Sequence, residues 1–438
     1  MPARAERLPA TLAAYRAVSG AATPLAPHLL DYRLRRGKEH AERMSERRGE
    51  PGARRPSGPL IWIHGASVGE FVAVLPLIER MRALGFCVLA TTGTVTSAAL
   101  AEKRLPSGAL HQFIPLDLPP YVARFLDHWR PDLALFVESD LWPNLIMSAG
   151  DRNIPMILVN GRMSARSFQR WRKFPRTIEA LLGRFDLCLV RTPDDAERFG
   201  ALGAPRIATT GNLKLDVPPL PVDPAKFAAL ADATRERTVV VAASTHPGEE
   251  SAIIEAHCSL AATFPTLLTI IAPRHPQRGP AIADIATTAR LRSALRSRGE
   301  LPGPGTDIYL FDTLGELGLV YELAPIVFMG GSLIKHGGQN PIEAVRFGAA
   351  ILHGPHVSNF AEIYDELDGC GGADIVGDAD TLAAQIAAWL DDGPARRHAA
   401  MSAKACVDRL GGALERTLGA LEPYFMQLRI KNRSPSDA

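Results

Sequence analysis

The chain has 438 residues, enough for two domains each with its own core, and at 46% hydrophobic and 22% charged it is neither disordered nor fibrous. Five scattered cysteines without a CxxC pair exclude a disulfide framework and a cysteine zinc site, and suit a reducing compartment. The net charge of +2 hides an asymmetry: residues 1–57 hold twelve Lys/Arg against six Asp/Glu, while the rest holds 37 against 41. A basic N-terminus, with a smaller basic tail at Arg429, Lys431 and Arg433, points to an anionic surface. Tyr15 and Tyr32 are the aromatic residues among these arginines, too few for a platform that stacks bases, so that surface reads as membrane and not nucleic acid.

The uncharged run at 17–30 contains Pro24 and Pro27 and falls short of the roughly 20 apolar residues a spanning helix needs. Arg4, Glu6, Arg7 and Arg16 break any signal-peptide layout. The run reads as a segment lying in the interface, with Arg33, Arg35, Arg36 and Lys38 on anionic headgroups, or as a helix packed on the protein. Residues 48–58 read as a Pro/Gly/Arg linker. Strands are then predicted at 59–64, 86–91, 112–116, 133–137, 155–159 and 187–190, with helices at 68–84, 97–103, 121–129 and 174–182. A Pro-rich linker follows at 216–223. Beyond it come strands at 238–243, 267–272, 308–311, 325–329 and 350–352, with helices at 249–264, 341–347 and 381–390. This βαβα order predicts two Rossmann-like halves with parallel sheets buried on both faces, leaving an interdomain cleft for a ligand.

The residues with chemistry stand at strand ends. The stretch 62–71, Trp-Ile-His-Gly-Ala-Ser-Val-Gly-Glu-Phe, runs from a strand through a glycine turn into a helix. Ser67 and Glu70 match a capping box, and Glu70 is equally placed to be a general base. The helix N-terminus lowers a carboxylate pKa there, while apolar Val68 and Phe71 oppose that shift. His64 reads as a hydrogen-bonded strand-end histidine. Glu138 and Asp140 follow a buried strand at period-two spacing, which would put them on one face if the strand continued. They read as a solvated loop with a cap at Asp140, or as groups that touch an acceptor or steady a catalytic residue. Ser244, Thr245 and His246 lead from a strand into a helix and suit a phosphate or carboxylate. Arg274, just after Pro273, can form a bidentate pair with a phosphate. Gly315, Glu316 and Leu317 follow a further strand end.

The stretch 329–344 reads Met-Gly-Gly-Ser-Leu-Ile-Lys-His-Gly-Gly-Gln-Asn-Pro-Ile-Glu-Ala. Two glycine pairs flank a polar loop, with Asn340 as N-cap and Pro341 opening a helix. Backbone N–H groups of such a loop, at the positive end of a helix, can hold a phosphate. Glu343, one turn in, either accepts sugar hydroxyls or closes a capping box with Asn340. GxGxxG, GxxxxGK[ST] and HExxH are all missing, which disfavours dinucleotide oxidoreductases, P-loop NTPases and zinc peptidases. In the one DxD triplet, Asp380 reads as an N-cap for the helix after it.

Taken in order, IWIHGASVGE, TTGTVTS, PLDLP, VESDLWPN, LVNGRMS, GNLKLD, AASTHPGEE, APRHPQR, FDTLGEL and MGGSLIKHGGQNPIEA resemble the 3-deoxy-D-manno-octulosonate (Kdo) transferases of Gram-negative bacteria. The resemblance covers roughly residues 59–425. It implies an α/β protein of GT-B fold: a basic membrane-associating segment and linker at 1–57 and an acceptor domain at 58–216. A donor domain at 217–425 follows, its last helices packing back on the first domain, and then a basic tail at 426–438. It also implies transfer of Kdo from CMP-Kdo to the lipid A precursor (lipid IVA) at the cytoplasmic face of the inner membrane, inverting, and without metal or cofactor. By the same resemblance Glu70 is the general base. Pro273, Arg274, Gly315, Glu316, Leu317, Asn340, Pro341, Ile342 and Glu343 match positions that hold CMP. Glu138, Asp140, Ser244, Thr245 and His246 are expected to support catalysis or meet the acceptor. The pattern departs at Asp140, where the family carries Glu, and at Gln339, where His is common. The N-terminal segment is also less apolar than the family's usual anchor. Two alternatives are a GT-B transferase with another nucleotide sugar, and an inactive nucleotide-sugar or lipid-binding protein on the same fold.

Overall fold

The computed structural model describes residues 8–216 and 218–433. Arg4, Glu6 and Arg7, the domain boundary at Val217 and the tail residues 434–438 lie outside them. The chain divides into two compact units, residues 1–217 with 410–438, and residues 218–409.

The first unit is built on seven parallel strands: β1 (Leu60–His64), β2 (Cys87–Thr92), β3 (Ala109–Phe113), β4 (Leu133–Val137), β5 (Met156–Gly161), β6 (Leu187–Val190) and β7 (Ile207–Thr209). Their order is β3-β2-β1-β4-β5-β6-β7. β1, β4, β5 and β6 are buried at every position. That burial on both faces is why they read as unbroken apolar runs and not as alternation. Leu60 and Trp62 pack on one face with Phe125, Trp129 and Phe136, while Ile61 and Ile63 pack on the other with Val74, Leu77 and Phe425.

β3 starts three residues before its predicted position, because Ala109 already pairs with Val88. It stops short of Pro115, which has no N–H to offer the ladder. Residues 48–58 are not a loose linker. Arg55 Nε donates to the Trp129 carbonyl at 2.7 Å, and its guanidinium pairs with Asp132 at 3.1 Å. Just upstream, buried Arg47 pairs with buried Glu39 at 3.2 Å. The N-terminal helices Ala10–Ala21 and Ala26–Arg35 break at the Pro24 turn. They are fixed by buried Leu12 and Leu30 and by Tyr15, whose hydroxyl donates to Asp117 at 3.0 Å. No helix among the described residues is long and apolar enough to cross a membrane.

The second unit repeats the plan with β8 (Thr238–Thr245), β9 (Leu267–Pro273), β10 (Ser293–Leu295), β11 (Ile308–Leu310), β12 (Ile326–Met329), β13 (Ala350–His353) and β14 (Ala373–Ile375). The order is β10-β11-β9-β8-β12-β13-β14, all parallel. Asp378, and not Asp380, caps the helix Ala379–Asp391 by accepting Thr381 N at 2.9 Å. The chain then returns to the first unit. Helix Ala413–Arg433 buries Leu421, Phe425 and Leu428, with Phe425 and Phe86 ring centroids 5.1 Å apart. Asp216 holds its start by accepting Gly412 N at 2.8 Å. Residues 426–433 are therefore helix and not a separate tail.

Each sheet reverses its strand order beside its first strand, between β1 and β4 and between β8 and β12. At such a switch point the flanking loops diverge to opposite faces, and the carboxyl ends of the strands are left open to a ligand. The candidate residues after β1, β4, β8 and β12 stand at these two points.

Candidate active site

In the first unit, β1 ends at His64 and helix Val68–Ala83 begins behind the N-cap Ser67. Ser67 Oγ accepts Glu70 N at 3.3 Å and donates to Glu70 Oε1 at 2.8 Å; Glu70 Oε2 accepts Ala66 N at 2.7 Å. The side chain thus reaches one residue further back than a capping box, which would close on the N-cap's own N–H. Burial pushes the Glu70 carboxyl above its ordinary value. Ser67 and Ala66 pull it down by hydrogen bonding, and Asp140 and Glu138 push it up by repulsion. Burial wins over the helix terminus, which brings Glu70 toward the range a general base needs. His64 is fully buried, hydrogen-bonded to Thr91, and lowered to about 4 by desolvation, so it is a neutral structural histidine.

Glu138 does not continue β4. Its φ of 60° turns the chain out of the strand, so the single face expected for Glu138 and Asp140 does not form. Both instead sit in the turn beyond it. Lys214, from the short turn Leu213–Asp216, places Nζ 2.6 Å from Glu138 Oε1. Asp140 is raised by burial and by Glu138, with the Trp142 side chain opposing. Sequence reasoning missed Lys214. Nothing local in GNLKLD signals a partner so distant along the chain. The result is three carboxylates and one lysine at the β1–β4 switch point.

In the second unit the glycine-rich loop follows β12. A Cβ on Gly330 would stand 2.6 Å from the Ser244 carbonyl oxygen, so only glycine permits this approach to β8. Ser244 itself has a φ of 56°, where the β8–β9 register shifts. The N–H groups of Gly331, Ser332 and Leu333 are not open to a phosphate, as the sequence suggested for this loop. Fully buried Glu249 accepts Gly331 N at 2.7 Å, Ser332 N at 2.9 Å, Leu333 N at 3.0 Å and His246 N at 2.9 Å. Gly338 N donates to the Gly331 carbonyl at 2.7 Å. A protein carboxylate fills the nest from within. The signal was an acidic residue opening the helix Glu249–Ala261 directly after Gly248.

The cationic groups are side chains. Pro273 closes β9, and exposed Arg274 follows, its N–H donating to the Thr245 carbonyl at 3.0 Å. The His246 ring stacks on His336 with centroids 3.8 Å apart and meets His275 edge-on at 6.0 Å. Burial, then His336, His275 and Arg274, lower His246 to about 4, so it is neutral at pH 7. Gln339 Nε2 lies 2.9 Å from His246 Nε2, which makes that ring nitrogen the acceptor. Thr245 Oγ1 donates to Glu250 at 3.1 Å, and Arg278 pairs with the same carboxylate.

Gly315 adopts a φ of 81° ahead of helix Leu317–Leu323. Glu316 is held by Arg296 at 3.1 Å and by Lys226 and Thr313; the Arg296 bond leads in lowering it to about 2. Asn340 is not the N-cap. The helix is Ile342–Arg346 with Pro341 at the cap, and Asn340 Oδ1 accepts Ile342 N at 3.2 Å in an Asx turn. The predicted capping box with Glu343 is therefore not formed, and so short a helix offers little dipole. Glu343 is half-buried, close enough to the buried Tyr321 hydroxyl to add to its burial-driven upward shift. Among the described residues no His, Cys, Asp and Glu group has the makings of a metal site.

Arg274 is an exposed cation of this cluster, as is Lys335 in the loop, and no described carboxylate forms an ion pair with Arg274. Arg274→Ala is expected to weaken CMP binding by about 1.5–3 kcal/mol, the scale of a hydrogen bond to a charged group. Calorimetric titration measures it, and an unchanged dissociation constant would place the phosphate elsewhere.

The two seven-stranded parallel sheets, each with its own switch point, define an α/β protein of GT-B fold. A glycosyltransferase from Rickettsia africae superposes with a TM-score of 0.57 at 10% identity, covering 87% of this chain and 100% of its own. At that identity the likeness shows the fold alone. A UDP-GlcNAc 2-epimerase from Neisseria meningitidis shares that fold, with a TM-score of 0.52, 12% identity, and 85% and 100% coverage. The model of the family described as 3-deoxy-D-manno-octulosonic-acid transferase (kdotransferase) matches residues 42–217. A 3-deoxy-D-manno-octulosonic acid transferase from Haemophilus influenzae is 34% identical over 393 residues, 88% of this chain and 92% of the relative. One from Bordetella pertussis is 36% identical over 390 residues, 86% and 90%. The chain belongs to the Kdo transferase family.

Proposed function

We propose that this protein transfers Kdo from CMP-Kdo to a lipid A precursor, with inversion and without a metal ion. The observation that carries the reading is Glu70, a carboxylate at the β1–β4 switch point whose burial raises it toward a base's range. Glu70 takes the proton of the acceptor hydroxyl as that oxygen attacks the anomeric carbon of Kdo, and the bond to CMP breaks on the opposite side. The leaving phosphate is met by Arg274 and not by the amides of Gly331, Ser332 and Leu333, which Glu249 already holds. Incubation with CMP-Kdo and lipid A precursor should give a product heavier by one or more Kdo units, in buffer containing a chelator. Mass spectrometry reads the additions and NMR the anomeric configuration. No mass gain, or a gain only with another nucleotide sugar, would remove the reading.

We assign the reaction to the cytoplasmic face of the inner membrane, on an anionic surface. Val18, Leu25, Leu29 and Tyr32 of the N-terminal helices are at least half exposed, at 68%, 67%, 50% and 52%. Arg35, Arg36 and Lys38 stand exposed beside them. Arg33 does not join them, because its guanidinium holds Glu39 at 2.6 Å. Each basic group near such a surface contributes about 1 kcal/mol. Leu25→Ser with Leu29→Ser is expected to release the protein from anionic vesicles in flotation, and high salt to weaken the wild type. Binding indifferent to lipid charge, salt and both substitutions would place the contact elsewhere.

A further inference from the structure

The first unit carries a second charged surface outside the carboxylate cluster. Between Arg162 and Ile178 the sequence holds six basic residues and no acidic one. The chain leaves β5 at Gly161 and forms two helices, Ala165–Trp171 and Pro175–Leu182. The connecting loop is clamped: Asp195 Oδ1 accepts Met163 N at 2.7 Å, and Arg198 Nη1 donates to the Met163 carbonyl at 2.9 Å. Ser164 caps the first helix by accepting Ser167 N at 3.2 Å. Phe168 and Trp171, one turn apart, pack against the core and fix the helix's rotation. Arg166, Arg170, Arg172, Lys173 and Arg176 are left exposed. Arg172 lies over the Phe168 ring at 5.7 Å. No described carboxylate forms an ion pair with any of these five.

A run of like charge is ordinarily just a solvated face. Two observations set this one apart. The helix that carries Arg166 and Arg170 is rotationally fixed, and Arg176 stands on the next helix, which is anchored by buried Ile178, Leu181 and Leu182. The strip also starts at the carboxyl end of β5, which pairs with β4, the strand that delivers Glu138 and Asp140. The three carboxylates of the switch point repel a phosphate, and the basic strip on the neighbouring strand attracts one. At the typical strand spacing of about 4.8 Å, the two loops leave the same rim side by side.

We propose that Arg166, Arg170, Arg172, Lys173 and Arg176 grip the phosphate groups of a phosphorylated glycolipid headgroup and so hold its attacking hydroxyl toward Glu70. The inference rests on the lipid acceptor proposed above and names the part of the chain that recognises it. The contacts are charge-assisted and cumulative, so no single arginine is decisive.

The test is a quadruple variant, Arg166→Ala, Arg170→Ala, Lys173→Ala and Arg176→Ala, assayed in detergent with the acceptor and with the same lipid stripped of phosphate. The variant's KM for the phosphorylated acceptor should rise about tenfold or more, with a flatter salt dependence. Its KM for the donor and its melting temperature should not change, and on the dephosphorylated lipid it should match the wild type. An unchanged KM, or an equal rise on both lipids, would overturn the proposal. So would a loss confined to anionic vesicles lacking acceptor, which would make the strip a general membrane surface. If the wild type makes no Kdo-bearing product, the functional reading fails. Fluorescence anisotropy with the two lipids then still decides the strip by the same preference.

Discussion

Glu70→Gln should lower Kdo transfer by about 10²–10⁴-fold while leaving CMP affinity, which we assign to the other unit, unchanged. The glutamine keeps the shape that Ser67 and Ala66 hold but cannot take a proton. The pH profile gives a second arm. Burial, with Asp140 and Glu138 adding repulsion, keeps the Glu70 carboxyl above its ordinary 4.5, so the acid limb of turnover lies above the usual carboxylate range. Asp140→Asn should move that limb to lower pH. Stability runs the other way. A group raised in the folded state contributes its stabilisation below the unfolded pKa and loses it as pH rises through the folded one. Wild type loses that increment and the glutamine variant does not, so the variant gains relative stability as pH rises through that window. Were Glu70 only a cap, the substitution would cost about 0.5–2 kcal/mol of stability and spare turnover. Single-turnover rates beside thermal melts separate the cases, and near-wild-type turnover sinks the base assignment.

Glu249→Ala should cost about 3–5 kcal/mol, because it strands four N–H groups, three of them buried, that share one carboxylate. Glu249→Gln should fall between, since its amide oxygen still accepts while its NH₂ faces donors. Denaturant unfolding measures both. A loss under about 1 kcal/mol would mean the loop holds its form without the carboxylate. CMP affinity should fall with stability in this series, because the loop carries His336 and Gln339 against His246.

The fold was legible because its strands are buried on both faces. Continuous runs such as 133–137 and 187–190 match the observed strands, β4 and β6. The edge strands β7, β10 and β14 were not seen, being three residues long and partly exposed, whereas the equally short β11 is buried throughout and was read. Local chemistry was legible where it is local. Ser67 with Glu70, and the glycine demanded at 330, are written in consecutive residues. What sequence could not show is which carboxylate reaches which amide. Glu249 and the 331–333 loop lie far apart in the chain, so a glycine-rich turn read as empty is in fact filled. Lys214 and Glu138 escaped for the same reason. Asn340 was misplaced by one residue because its Asx turn mimics a cap.

The return of helix Ala413–Arg433 bears on how the molecule is made. Leu421, Phe425 and Leu428 complete an apolar face begun by β1 and helix Val68–Ala83. During synthesis that face stays open until the whole second unit has left the ribosome. Domains usually fold as they emerge, N-terminal first. Here the half that emerges earlier lacks the last helix of its core until residues 413–433 are made, with apolar surface uncovered until then. Chains stalled before residue 413 are thus the ones that chaperones must hold.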